Sequence, residues 1–374
     1  MKKLGFGLMR LPQLDPANPR SIDIEQVKQM ADTYISRGFT YFDTAYMYHD
    51  GYSERAFRQA VAERYPRTAF TITDKLPMMM IKNKEDLPRI FDEQLERTGV
   101  DYFDYYWLHN LNVNSIKTVN ETDAFDFILR KKQEGLVRHI GFSFHDSAAL
   151  LEQILTDHPE TEFVQLQINY LDWSDAGIQS GDCYNVATAH QKPVIVMEPL
   201  KGGSLVRLPD EAAAILKKAR PDLSIASWGI RFAASLPNVL TVLSGMSSID
   251  QLNDNTTYMQ ELEPLTDEEK QILANVTDII RARTAVPCTA CRYCVDQCPQ
   301  QIPIPSYFAL YNAWDNWQRD GAKGFNSQKM YYSHFINGGA TPASACIVCR
   351  QCEQACPQHI HIPDILPQVA AAFE

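Results

Sequence analysis

Eight short apolar runs punctuate the first 245 residues: LGFGLMRL (4–11), TYFDTA (40–45), FTITDKL (70–76), YFDYYWLH (102–109), HIGFSFH (139–145), FVQLQIN (163–169), VIVMEPL (194–200) and VLTVLSG (239–245). Their length and their load of β-branched and aromatic residues predict buried strands. Between them run longer stretches with apolar residues three and four apart. SIDIEQVKQMADTYISRG predicts a helix capped by Ser21, and KEDLPRIFDEQLERTG a helix closing on Gly99. Strand and helix alternating eight times predicts an α/β chain folded as a (β/α)8 TIM barrel. An open doubly wound sheet is the other solution. It places G-x-G-x-x-G after its first strand, and GFGLMR lacks that spacing.

The pattern changes near residue 282. DEEKQILANVTDIIRAR reads as the last barrel helix, so the chain divides into a barrel (1–282) and a small domain (283–374). Eight of the nine cysteines fall in the second part, in CTACRYCVDQCP (288–299) and CIVCRQCEQACP (346–357). Both repeat C-x2-C-x2-C-x3-C-P, the spacing of iron–sulfur ligation, in which the fourth cysteine serves the other cluster. Two [4Fe–4S] clusters follow, one on Cys288, Cys291, Cys294 and Cys356, the other on Cys346, Cys349, Cys352 and Cys298. Two zinc sites of four cysteines are the alternative, though zinc modules separate their C-x2-C pairs by a longer loop. The 47 residues between Cys298 and Cys346 are aromatic and helical in pattern (SYFALYNAWDNWQ), predicting a small α-helical ferredoxin-like domain. His359 and His361 follow the last Cys-Pro and read as surface or supporting groups. Cys183 reads as an ordinary barrel thiol.

Composition narrows the setting. No apolar run approaches 18 residues and the start lacks a secretory pattern, so no membrane partner and a cytoplasmic location are expected. Thiols stay reduced there, which favours metal over disulfide. The formal charge is −11, all of it before residue 283. A chain with no basic stripe is not expected to bind nucleic acid.

The ends of the predicted strands carry the candidate chemistry. Asp43 lies at the second, with Tyr48 in the loop after it. Lys75 lies at the third and His109 at the fourth. In a barrel these ends form one face, which holds the active site. A tyrosine hydroxyl is a reluctant acid at neutral pH. A neighbouring ammonium lowers its pKa, a carboxylate holds that ammonium charged, and an imidazole can orient a carbonyl oxygen. Together these groups can protonate a carbonyl oxygen as hydride reaches its carbon, or run the reverse.

GFGLMRLP, FDTAYMY, TDKL, YYWLH, IGFSFH and GMSSIDQLNDN resemble, in order and spacing, the signature blocks of the aldo/keto reductase family. With its tail the whole chain resembles a prokaryotic subgroup carrying a C-terminal two-cluster ferredoxin domain. The resemblance implies NAD(P)-dependent interconversion of a small carbonyl and an alcohol. Tyr48 would be the general acid/base, Asp43 and Lys75 would tune it, and His109 would orient the carbonyl. It places Ser143 and Gln167 against the nicotinamide carboxamide, with Asn169 beside them. Phe144 stands where the family usually has Asn, which leaves one amide contact in question. The seventh loop offers Leu200, Lys201, Gly202 and Gly203 to the pyrophosphate. The eighth block offers Ser247, Gln251, Asp254 and Asn255. Family members that prefer NADP carry basic residues at the positions of Gly245 and Gln251, so the cofactor reads as NADP or NAD. Members also usually have a hairpin under the barrel floor. Here the chain begins at the strand, which leaves the floor for the tail to cover or open.

A hydride is two electrons and a [4Fe–4S] cluster moves one, so the clusters are not expected to join each hydride transfer. They would serve a redox partner protein, sense redox state or brace the fold. The aromatic insert (Tyr311, Trp314, Trp317) is a candidate to reach the barrel mouth. A second reading makes the chain an iron–sulfur electron-transfer or interaction protein that uses the barrel as a scaffold.

Overall fold

Tyr41, Trp107, Phe163, Ile195 and Leu243, from five different strands, pack into one cluster in the computed structural model. They fill the inside of a closed barrel of eight parallel strands in sequential order. The structure describes all residues except 1, 114, 176–177, 284, 287, 289–291, 320–325 and 357–359, and the side chains of 293 and 319. The strands are β1 (Leu4–Gly7), β2 (Tyr41–Asp43), β3 (Thr71–Pro77), β4 (Phe103–Leu111), β5 (Val137–Phe144), β6 (Phe163–Gln167), β7 (Val194–Met197) and β8 (Val239–Gly245). The parallel register pairs β1 with both β2 and β8 and so closes the ring. Large interior side chains need small neighbours. A Cβ on Gly5 would come within 2.6 Å of Leu243, and one on Gly141 within 2.4 Å of the Phe163 carbonyl.

All eight predicted runs hold strands, with boundary shifts that have local causes. β1 stops at Gly7, and Leu8–Arg10 turn as a short 3-10 segment, held by Ser53 Oγ donating to the Leu8 carbonyl. β4 runs two residues past His109. Its register with β5 slips between Leu108 and Leu111, where Asn110 has φ 64°. The helix expected at Ser21 begins later, at Ile24–Ser36, because Asp23 and not Ser21 accepts from the Gln26 amide. Ser21 instead donates within the preceding turn, to the carbonyls of Asp15 and Asn18. Gly99 does end its helix, with φ 69°. The helix Asp267–Ala282 opens on a reciprocal capping box between Thr266 and Glu269.

Beyond it, the helices Ile304–Arg319, Ser327–Asn337 and Ile362–Phe373 build a second core around Ile302, Tyr307, Phe308, Val369 and Phe373. This core meets the barrel at the face where the strands end: Tyr331 contacts His145, just after β5, and Gln167, the last residue of β6. Tyr331 is an aromatic side chain that reaches the mouth, and Phe335 of the same helix lines the cavity there. Tyr311 and Trp314 stack on one another within the tail, with Trp314 against Phe373. No helix among the described residues is long and apolar enough to cross a membrane.

Candidate active site

Strand periodicity builds the site. Successive side chains alternate faces, so Asp43 sits above Tyr41, Lys75 above Thr73 and His109 above Trp107, each polar group one layer over the packed interior. The Lys75 ammonium, wholly buried, donates to Asp43 Oδ1 at 2.8 Å and to the Thr44 carbonyl at 2.6 Å. It also stands 4.7 Å from the centre of the Tyr48 ring. Tyr48 meets His109 edge to face, their centres 6.1 Å apart. The four residues read from separate stretches of sequence thus converge.

Their electrostatics follow from burial opposed by charge. Burial works against the Lys75 cation, but Asp43 and then Tyr48 outweigh it and leave its pKa above the usual value. Asp43 is raised by burial, against the pull of Lys75. Burial likewise raises Tyr48. Lys75 draws it down, as expected, but does not overcome the burial, so the phenol stays protonated at neutral pH. Burial, then the Lys75 charge, then His145 push His109 well below its usual value, and it is a neutral imidazole. Asp43 Oδ2 and His109 Nδ1 are buried polar atoms with no partner among the described residues.

Around this centre, Ser143 Oγ accepts from the Asn110 amide at 2.7 Å, which ties β5 to the β4 irregularity. Gln167 Nε2 donates to Asp172 Oδ2 at 2.8 Å, and Gln167 Oε1 accepts from Tyr331 at 2.7 Å. Asn169 is fully buried and turned inward: it donates to Asp172 and the Glu198 carbonyl and accepts from the Leu171 and Asp172 amides. Lys201 pairs with Asp172. Burial would raise the Asp172 carboxyl, but Lys201, Gln167 and Asn169 hold it below its usual range.

Leu200 leads into the turn Lys201–Val206, where Gly202 (φ 65°) and Gly203 (φ 96°) adopt the left-handed region. Successive glycines there can present amides to an anion. Across the gap, Ser248 caps the helix Ile249–Gln260, and Gln251 Oε1 accepts from the Ser247 amide. Asp254 lies on that helix, part-exposed. Asn255 is buried, donating to Ser244 and accepting from Tyr258.

Arg10 fills a place that sequence reasoning left empty. No basic residue lies in the eighth block, yet the Arg10 stem lies against Gly245, where a Cβ would meet its Cδ at 3.1 Å. Its Nη2 would stand 3.5 Å from a Cβ on Gly202. Ser247 Oγ donates to the Arg10 carbonyl at 2.8 Å. Among the described residues no carboxylate lies within 4 Å of this guanidinium. Its signal was the Arg of GFGLMRLP, inside a block already singled out. Asp172 and Tyr331 carried no such signal.

A cavity of about 300 Å³ lies between barrel and tail, its wall including His145, Asp146, Gln167, Arg292, Tyr331 and His334. Cys183 also lines it, with burial raising its thiol to about 12. In the tail, Cys298 stands with Cys346, Cys349 and Cys352 around one small space walled by Ile302, Ile304, Pro363 and Leu366. Burial and then Cys298 raise the Cys352 thiol to about 11. Four thiols around an apolar space fit a cubane cluster. Cys294 and Cys356 are buried in the same core and Cys288 packs against it, while Cys291 and His359 lie outside the described residues. His361 is exposed and paired with Glu353.

Residues 3–278 match the model of the Aldo/keto reductase family. The chain belongs to that family. Residues 287–361 match the 4Fe-4S dicluster domain, so this aldo/keto reductase is an oxidoreductase with an iron–sulfur domain behind its barrel. It is 24% identical over 297 residues to the uncharacterized oxidoreductase YqkF of Bacillus subtilis, covering 70% of this chain and 92% of that one. It is 24% identical over 248 residues to L-galactose dehydrogenase of Arabidopsis thaliana, covering 61% and 76%. Its fold is similar to the holo form of an aldo-keto reductase from Bacillus halodurans (TM-score 0.58, 24% identity, 73% and 91% covered). A Klebsiella pneumoniae aldo-keto reductase in complex with NADPH matches equally (TM-score 0.58, 23% identity, 74% and 90% covered).

Proposed function

We propose that this aldo/keto reductase interconverts a small carbonyl compound and an alcohol, with a nicotinamide dinucleotide as the redox partner of the reaction. The observation that carries the reading is the Lys75 ammonium, held by Asp43 and set 4.7 Å from the Tyr48 ring. A phenol raised by burial keeps its proton until a carbonyl oxygen gains charge. Tyr48 then donates that proton, and Lys75 stabilises the phenolate that remains. His109, neutral, hydrogen-bonds the same oxygen and orients the carbonyl. In the reverse direction the phenolate takes the proton back. A bound reduced dinucleotide supplies the hydride.

The groups around the mouth fit such a dinucleotide. Gln167 and Ser143 face the nicotinamide carboxamide, and Leu200, Lys201, Gly202, Ser247, Gln251, Asp254 and Asn255 surround the phosphates and adenosine. Arg10 gives the phosphates the cation that Gly245 and Gln251 do not, and favours NADP over NAD. The similar Klebsiella pneumoniae structure is an NADPH complex, which supports this preference. In the tail, Cys288, Cys291, Cys294 and Cys356 hold one [4Fe–4S] cluster, and Cys346, Cys349, Cys352 and Cys298 a second. When bound they supply one-electron chemistry to a partner protein.

The test is NADPH and NADH oxidation across a panel of aldehydes and ketones by the wild type and Tyr48→Phe. The variant keeps the ring packing and loses the proton. Its kcat is expected to fall about 10²- to 10⁴-fold with dinucleotide affinity unchanged. Equal rates in both proteins would remove Tyr48 from the chemistry and leave the scaffold reading standing.

A further inference from the structure

Gln167 is held at both ends, and one of its holders comes from the tail. The Asp172 carboxyl is ionised, since Lys201, Gln167 and Asn169 together hold its pKa down. A carboxylate only accepts, so the Gln167 end facing it is the NH2, at 2.8 Å. The other end, Oε1, therefore faces Tyr331 and accepts from its hydroxyl at 2.7 Å. A phenol has one proton. With that proton on the line to Gln167, the Tyr331 oxygen must accept at its second contact, 2.5 Å from His145 Nδ1. Burial, then His334, push His145 down to about 3. It is thus a neutral imidazole with its hydrogen on Nδ1. Each donor in the line His145, Tyr331, Gln167, Asp172 has one possible direction. Pinned this way, the Gln167 amide keeps one N–H and one lone pair with no other partner among the described residues. An amide with a donor and an acceptor left over can pair with a ligand carboxamide.

The tail helix Ser327–Asn337 is built to hold Tyr331 there. Its next residue, Tyr332, points the other way. It packs on Tyr307 and Phe373, bonds Glu374, and accepts from the Ala343 amide at 2.8 Å. One residue anchors the helix in the tail core and its neighbour reaches 164 positions back along the chain to Gln167.

We propose that Tyr331 is a positioning residue of the oxidoreductase site: it fixes the Gln167 amide in the plane that receives the nicotinamide carboxamide, so the iron–sulfur domain completes the dinucleotide site of the barrel. This rests on the reading that Gln167 meets the carboxamide. Tyr331→Phe removes one oxygen from a packed ring and leaves Gln167 Oε1 without its donor.

The test measures, on the intact protein purified without oxygen, dissociation constants for NADPH, NADH and ADP-ribose, which lacks the nicotinamide. Tyr331→Phe is expected to weaken both dinucleotides about 3- to 10-fold, the worth of one hydrogen bond, with ADP-ribose unchanged and kcat at saturating cofactor preserved. Gln167→Ala is expected to weaken the dinucleotides and spare ADP-ribose in the same way. In that background, adding Tyr331→Phe is expected to do nothing further. If Gln167→Ala has no effect on the dinucleotides, the carboxamide reading fails and the proposal with it. If Gln167→Ala acts but Tyr331→Phe does not, the proposal alone fails. It also fails if the two effects add, or if ADP-ribose weakens as much as the dinucleotides.

Discussion

Lys75 keeps its charge where burial opposes charge. It does so because Asp43 sits 2.8 Å away and the Thr44 carbonyl closer still. Neither partner alone would settle the state of Tyr48: the sequence named the three residues, but the sign of the phenol's shift depends on how completely the mouth buries it. Arg10 is the opposite case, a charged group in no salt bridge among the described residues, whose charge acts at longer range on the Glu198 carboxyl and which lies against two glycines. If its guanidinium meets a phosphate, Arg10→Met is expected to weaken NADPH about tenfold, about 1.4 kcal/mol, and NADH less. The salt dependence of NADPH binding should flatten with it, since an ionic contact has gone. Titrating both dinucleotides into the variant at low and high salt checks this, and an unchanged NADPH affinity would assign the phosphates elsewhere.

Among elements, the two cysteine runs fold alike. Arg292 and Arg350 each follow the second cysteine of their run and each takes a left-handed φ, 68° and 60°. A four-residue helix follows in both, Tyr293–Asp296 and Gln351–Gln354, carrying the third cysteine. In the second run the turn brings Cys346, Cys349 and Cys352 to one space, and Cys298, the fourth cysteine of the first run, stands with them. Cys298→Ser is therefore expected to disturb the cluster of the second run and leave the first. Iron and acid-labile sulfide should fall by about half, as in Cys352→Ser and unlike a protein that loses everything. Iron analysis beside the low-temperature paramagnetic resonance of the reduced protein separates these outcomes. The repeated spacing and the grouping of Cys298 with the second run were legible in the sequence because ligation geometry is local and repeats. The β4 irregularity at Asn110 was not, since a register slip depends on the neighbouring strand.

Across the whole molecule, the aldo/keto reductase barrel and the iron–sulfur domain share an interface at the barrel mouth. That interface includes a line of hydrogen bonds, which can position groups but does not convert two electrons to one. NADPH added without a carbonyl substrate is thus expected to leave the visible absorbance of the clusters unbleached, while dithionite bleaches it. An anaerobic titration followed in the visible range decides this, and bleaching by NADPH alone would show that electrons do cross.

The sequence by itself determined the barrel, the convergence of Asp43, Tyr48, Lys75 and His109, and the iron–sulfur domain behind it, because strand period, helix period and motif spacing are written in consecutive residues. Tertiary structure alone decided that the tail meets the barrel at its mouth. It also decided that Tyr331 reaches the barrel and that Arg10 lies against Gly245 and Ser247. Those contacts join residues 164 to 237 positions apart. They depend on which faces meet once each domain is packed, and no pattern along the chain records that.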